Sequence, residues 1–106
     1  MLDYTITRTD NPTSAEELSE ILANPGFGKH FTDHMVTIDW TEEKGWHDAQ
    51  VRPYGPMTME PASNVFHYGQ AIFEGIKAYR QPDDSIATFR PDHNAQRFIN
   101  LSLIHI

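Results

Sequence analysis

The sequence of 106 residues contains no cysteine, and this absence removes several kinds of chemistry at once. Disulfide bonds, thiolate catalysis and zinc sites with thiolate ligands are excluded. Basic residues are also few, since 8 lysines and arginines stand against 15 aspartates and glutamates, and the formal net charge is −7. Because the basic residues are scattered singly, no run of them would attract a nucleic acid, and we predict no nucleic-acid partner.

Long apolar runs are missing as well. No stretch approaches the roughly 20 apolar residues that a helix needs to cross a bilayer, and the first residues lack the basic start and apolar core of a secretory signal. We therefore expect a cytoplasmic protein without a membrane partner. The length allows one small domain with a modest hydrophobic core.

Local patterns in the first half predict one helix and two strands. Ser14 and Glu17 have the spacing of a capping box, and the apolar residues that follow predict a helix over 15–23, which an Asn-Pro-Gly sequence ends. Alternation of apolar and polar residues predicts a strand over 34–40 and, after a short turn, a second strand over 46–51. The residues before the helix are interpreted as an extended lead-in.

The second half predicts two more helices around a hairpin. We expect a helix over 65–74, strands over 76–80 and 86–90 joined by a five-residue loop, and a last helix from Pro91. Gly69 would cost the first of these helices roughly 1 kcal/mol, which indicates close approach of another backbone or a ligand. The whole pattern predicts an α+β fold, with a small mixed or antiparallel sheet and flanking helices.

The stretch with the richest side-chain chemistry runs from His67 to Gly75 and reads HYGQAIFEG. In one interpretation its apolar side chains are ordinary core. In the other, the histidine, tyrosine and glutamate within an apolar stretch line a ligand pocket, because such pockets combine aromatic walls with a few polar groups. The residues alone leave both interpretations open.

A longer sequence pattern around this stretch resembles a known family. The run VFHYGQAIFEGIKAYR over 65–80 and the run RPDHNAQR over 90–97 resemble the class IV aminotransferases, which are pyridoxal phosphate (PLP) enzymes of fold type IV. The upstream run FGKHFTDHM over 27–35 is similar to the branched-chain amino-acid aminotransferases in particular. The resemblance covers about residues 27–100. It implies that residues 1–100 are an incomplete N-terminal small domain of such an enzyme.

The resemblance also implies an activity. A protein of this family transfers the α-amino group between leucine, isoleucine or valine and 2-oxoglutarate, in branched-chain amino-acid biosynthesis or breakdown, and the implied parent protein is a two-domain homodimer. Two alternatives within the same fold type are a D-amino-acid aminotransferase and an aminodeoxychorismate lyase. A third alternative, from another class, is a small-molecule binding module without catalysis.

Four residues are candidate site residues. On its own, Arg97 is either a solvated helix arginine or a clamp for phosphate oxygens, and the resemblance implies that it holds the cofactor phosphate. The resemblance further implies that Phe27, Tyr68 and Phe73 line the pocket for a branched aliphatic side chain. Phe27 lies outside the central motif, so a position in the core after the helix is an equal alternative.

No metal site is predicted. His30 and His34 are four residues apart, which is a ligand spacing on a helix. Here the segment reads as extended, so the two side chains would not converge on one ion in that way.

No catalytic residue is assigned to this chain. Its only lysines are Lys29, Lys44 and Lys77, and the resemblance assigns both the lysine that binds the cofactor covalently and the acidic partner of the pyridinium nitrogen to a later segment. We therefore expect an inactive fragment. Residues 101–106, LSLIHI, are interpreted as read-through of a sequencing adapter and not as native sequence. A natural apolar helix end is the competing explanation.

Overall fold

The structure, a computed structural model, describes residues 1–102. These residues divide into two units, residues 1–57 and residues 58–102. The first unit contains a three-stranded mixed sheet and one helix. Its elements are β1 (Thr5–Ile6), α1 (Ala15–Ala23), β2 (His34–Thr41) and β3 (Gly45–Pro53). Strand β3 lies in the centre, parallel to β1 and antiparallel to β2.

Helix α1 has the bounds that its capping pattern predicts. The backbone N–H of Glu17 donates to Oγ of Ser14 at 3.2 Å, which satisfies one of the amides that a helix start leaves without an intrahelical partner. The helix ends at Ala23, and the backbone N–H of the next residue, Asn24, donates to the carbonyl of Ile21. The local sequence therefore determines this element at both ends.

The strands β2 and β3 form the predicted hairpin, in which Trp40 pairs with Trp46. The pairing contains an irregularity between Thr37 and Asp39. The extended lead-in contributes a strand that the sequence pattern did not predict, because β1 pairs with residues more than 40 positions away, Thr5 with Gln50. Such nonlocal pairing leaves no signal in a two-residue segment.

The second unit contains α2 (Asn64–His67), β4 (Ala78–Arg80), β5 (Ile86–Thr88) and α3 (Pro91–Ser102). Strands β4 and β5 form an antiparallel hairpin in which Arg80 pairs with Ile86, so the prediction of a five-residue loop is confirmed. The strands are shorter than the predicted ones. Helix α3 begins at the predicted proline.

The prediction of a helix over 65–74 is wrong. Helix α2 ends at His67, and the N–H of Tyr68 closes its last turn on the carbonyl of Asn64 at 2.9 Å. Gly69 then has φ +59°, in the left-handed region that favours glycine, and residues 69–77 are irregular. A Cβ at this glycine would meet nothing within 4 Å, so the backbone angle, and not a close neighbour, accounts for the residue.

The described residues bury very little. Ala49, at 2% exposure, is the single buried hydrophobic residue among them, and many large apolar side chains are exposed, including aromatic residues in both units. An α+β fold is confirmed, but the described residues form very little hydrophobic core. None of the described helices is long and apolar enough to cross a membrane.

Candidate functional site

The guanidinium of Arg97 has two hydrogen-bond acceptors in the second unit. It projects from α3, and 54% of the side chain is exposed. Its Nη1 donates to Oε2 of Glu74 at 2.9 Å and to the carbonyl oxygen of Phe73 at 3.3 Å. The irregular stretch after α2 thus brings two acceptors to one edge of the arginine.

Glu74 uses both of its carboxylate oxygens. Oε2 accepts from Arg97, while Oε1 accepts from the backbone N–H of Gly75 at 2.9 Å, and only 17% of the side chain is exposed. Asn94, three residues before Arg97 and therefore on the same side of α3, donates from Nδ2 to the carbonyl of Gly75 at 3.0 Å. Helix α3 and residues 73–75 are held together by these contacts.

The same contacts set the charge of Glu74. The hydrogen bond from Arg97, followed by the one from the Gly75 amide, lowers the pKa of the Glu74 carboxyl below its ordinary value, while partial burial opposes them. A smaller contribution in the lowering direction comes from Asn94. Glu74 is therefore ionised at neutral pH, and Arg97 and Glu74 form a charge pair.

The pair leaves one edge of the guanidinium available. An arginine side chain carries five N–H donors in a rigid fork, and within residues 1–102 the side-chain hydrogen bonds of Arg97 all come from Nη1. The donors on Nη2 and Nε remain for another acceptor. Planar donors of this kind match the oxygens of a phosphate or carboxylate.

The three aromatic candidates are all exposed. Tyr68 and Phe73 are each 82% exposed in the second unit, and Phe27 is 99% exposed in the first. Within the described chain neither Phe27 nor Phe73 is packed in a core. The structure brings Phe73 to Arg97 through its backbone carbonyl. That the three rings line one pocket stays a prediction.

No family model matches the chain. A probable branched-chain-amino-acid aminotransferase of Streptomyces coelicolor is 64% identical over 88 residues, which cover 83% of this chain and 24% of that protein. The branched-chain-amino-acid aminotransferase of Mycolicibacterium smegmatis is 56% identical over 96 residues, 91% of this chain and 26% of the relative. A branched-chain-amino-acid transaminase of Bacillus subtilis is 54% identical over 72 residues, 68% and 20% respectively.

The chain is homologous to branched-chain-amino-acid aminotransferases. The resemblance carried by its motifs is confirmed at this level. The chain spans about a quarter of the length of the curated relatives it matches, so it corresponds to a fragment of such a protein.

Sequence reasoning missed two residues that contact the Arg97 guanidinium or its loop. Glu74 was noted as polar within an apolar stretch, but its partner Arg97 lies 23 residues further on, and no spacing rule links positions so far apart. Asn94 carried a weak signal, because a helical residue three positions before Arg97 shares its face. The acceptor that it reaches, the Gly75 carbonyl, belongs to a loop whose course the sequence did not predict.

One of the two histidines considered as metal ligands, His34, has a hydrogen bond to the backbone. Nε2 of His34 accepts from the backbone N–H of Thr9 at 3.0 Å, a structural role within the first unit. Elsewhere in that unit, Asp39, His47 and Asp48 place one ligand atom each within 4.8 Å of one another. This proximity does not by itself specify an ion, since exposed acidic groups often lie close together on protein surfaces.

Proposed function

We propose that this chain is the N-terminal, small-domain segment of a PLP-dependent branched-chain amino-acid aminotransferase, and that Arg97 is its anchor for the cofactor phosphate. One observation carries the proposal. Glu74 and the Phe73 carbonyl hold one edge of the guanidinium, and among the described residues the donors of its other edge have no acceptor. Homology to proteins named as branched-chain-amino-acid aminotransferases supplies the activity.

The residues present fit a phosphate ester. A half-exposed guanidinium with three remaining N–H donors suits phosphate oxygens, which accept charge-assisted hydrogen bonds. When bound, PLP supplies the electron sink that stabilises negative charge at the α-carbon of the amino acid. In the proposed enzyme, this chain would fix the position of the phosphate, and with it the cofactor, against the remainder of the protein.

Tyr68 and Phe73 of the second unit would supply aromatic walls of a substrate pocket. On the family resemblance, Phe27 of the first unit is proposed as a further residue that contacts the substrate. Their exposure supports this role, because rings already packed in a core could not line a pocket. Burial of a leucine-sized side chain against such walls is worth roughly 1.5–3 kcal/mol. The preference would be for leucine, isoleucine or valine as amino donor and 2-oxoglutarate as acceptor.

The remainder of the proposed enzyme must supply what this chain lacks. Lys29, Lys44 and Lys77 are all exposed, and the covalent lysine and the acidic partner of the pyridinium nitrogen would come from the missing segment. The complete protein would be a cytoplasmic homodimer. We propose as well that residues 101–106 are not native; of these, residues 103–106 lie outside the described part of the chain.

A chimera tests the proposal. The 88 matched residues of the Streptomyces coelicolor relative are replaced by the corresponding residues of this chain, and the purified product is loaded with PLP. We expect transamination between leucine and 2-oxoglutarate, with no reaction of D-alanine. A matched chimera carrying Phe73→Ala should have a KM for leucine raised about tenfold, the equivalent of about 1.4 kcal/mol of lost apolar contact.

The outcomes separate the alternatives. A folded chimera that used D-alanine and ignored leucine would indicate a D-amino-acid aminotransferase. A folded chimera without transaminase activity, together with an isolated chain that melts cooperatively as a stable monomer, would favour the binding module. Either result would contradict the proposed function.

A further inference from the structure

Glu74 has the contacts of a residue that orients another side chain. Its carboxylate is mostly buried, and its two oxygens have different partners: the Gly75 amide fixes Oε1, and Oε2 accepts from Arg97. The amide contact comes from the next residue in the chain, so the carboxylate is held by its own backbone. An acceptor fixed in this way restricts the rotation of the guanidinium that donates to it.

A second acceptor makes the restriction directional. Nη1 of Arg97 also donates to the carbonyl of Phe73, and Asn94 attaches the same loop to α3 through the Gly75 carbonyl. Two acceptors on a single nitrogen fix the plane of the guanidinium. The remaining donors, on Nε and Nη2, then point to one region before any ligand arrives, which lowers the entropy that a ligand would have to remove.

We propose that Glu74 is a positioning residue for Arg97, holding one edge of the guanidinium so that the other binds a phosphate. This inference rests on the proposed function of Arg97 as phosphate anchor. It also links two parts of the site, because the loop that orients Arg97 carries the Phe73 ring. A fixed anchor and a fixed substrate wall would then share one short segment, residues 73–75.

A carboxylate beside the guanidinium can also weaken phosphate binding, and the sign of its effect therefore tests the proposal. A carboxylate 2.9 Å from the guanidinium reduces the positive potential that attracts an anion, so a purely electrostatic role would weaken phosphate binding. Removal of the charge at Glu74 would then strengthen binding. Positioning predicts the reverse, and the direction of the change decides between the two.

The test uses the full 106-residue chain with ¹⁵N-labelled arginine side chains and inorganic phosphate as the probe. The shift of the Arg97 Nε–H signal, identified by its loss in Arg97→Lys, gives the dissociation constant. We expect Glu74→Gln to weaken phosphate binding about 5- to 10-fold, as expected for partial loss of one oriented charge-assisted bond. The Arg97 side-chain signals should also broaden through faster rotation, with an unchanged backbone amide spectrum, which a general structural role would not produce.

Asp84→Asn is the matched control. It removes a carboxylate from a second arginine pair, Arg80 with Asp84 at 3.3 Å, in which both side chains are largely exposed. We expect it to leave phosphate binding at Arg97 unchanged. If Glu74→Gln unfolds the chain, Asn94→Ala provides the same comparison, because it retains the Glu74 carboxylate and removes only the contact that holds the loop to α3. It should weaken phosphate binding two- to threefold, by about half a kcal/mol or slightly more.

The failures of the two proposals are distinguishable. If phosphate does not shift the Arg97 signal, or if phosphate binding followed by backbone amide shifts is unchanged in Arg97→Ala, the anchoring function fails. If Arg97→Ala abolishes the binding while Glu74→Gln strengthens it or leaves it unchanged, the anchor stands and the positioning role of Glu74 is overturned. Binding that weakens in Glu74→Gln and not in Asp84→Asn supports the positioning role.

Discussion

Arg97→Ala, made in the chimera, is expected to weaken PLP binding more than it changes the choice among branched substrates. The substitution removes the whole guanidinium, including the donors on Nη2 and Nε that the contacts to Glu74 and Phe73 leave available. The Glu74 carboxylate would remain near the phosphate with its main cationic partner gone, so repulsion adds to the lost hydrogen bonds.

The expected loss of PLP affinity follows from the kind of hydrogen bond that Arg97→Ala removes. A hydrogen bond to a charged group contributes about 1.5–3 kcal/mol, which corresponds to a rise in the PLP dissociation constant of about 10- to 150-fold. Arg97→Lys is the control, because it keeps the charge and loses the planar fork. We expect an intermediate value for it.

The assay is equilibrium titration of the apo-chimera with PLP, followed by absorbance, together with steady-state kinetics at saturating cofactor. The ratio of kcat/KM for leucine to kcat/KM for valine should change less than twofold, since Arg97 would contact the phosphate and not the aliphatic side chain. An unchanged PLP dissociation constant in Arg97→Ala would refute the anchoring role. A substrate ratio that moved as much as the cofactor affinity would assign Arg97 to the substrate pocket.

Three further predictions concern the chain by itself. Mixed with PLP, it should show no Schiff-base absorption band and no leucine transamination, because the covalent lysine is proposed to lie outside this chain; an adduct that borohydride reduces and that maps to Lys77, together with turnover, would overturn this view. Ser14→Ala should destabilise the first unit by about 1 kcal/mol in urea unfolding through loss of the helix cap, whereas Ser19→Ala, within the same helix, should have a smaller effect. Glu74 has a lowered pKa in the folded chain, so its stabilising contribution is present above its unfolded value of about 4.5 and is lost as the pH falls through the folded one. Stability measured from pH 7 to pH 3 should therefore decrease more in the native chain than in Glu74→Gln, and parallel curves would contradict the ion pair.

Elements defined by local interactions were predictable from the sequence. Ser14 and Glu17 set the start of α1 through a contact three residues long, and the bounds of the helix were correct. The β4–β5 loop was also correct, and its geometry is local: Asp83 accepts from the Ser85 hydroxyl at 2.6 Å and from its amide at 3.1 Å. These contacts lower the pKa of the Asp83 carboxyl.

The stretch after α2 shows why the rest was not predictable. Its apolar residues recur at helical spacing, yet the helix ends at His67 and Gly69 has a positive φ. Apolar residues at helical spacing predict a helix because burial of the apolar face stabilises it. Here Phe66 and Phe73 are exposed, so this stabilisation is absent and the spacing does not predict the structure. The ion pair of this loop with Arg97 depends on the path of the chain through the hairpin and could be found only from the three-dimensional structure.

The central claim is that Arg97 binds the cofactor phosphate with one edge of its guanidinium while Glu74 holds the other. A crystal structure of the PLP-loaded chimera tests both parts in a single measurement. We expect Nε or Nη2 of Arg97 about 2.7–3.2 Å from phosphate oxygens, with Nη1 still bonded to the Glu74 carboxylate. A phosphate held by other side chains, with Arg97 directed to solvent, would contradict the account.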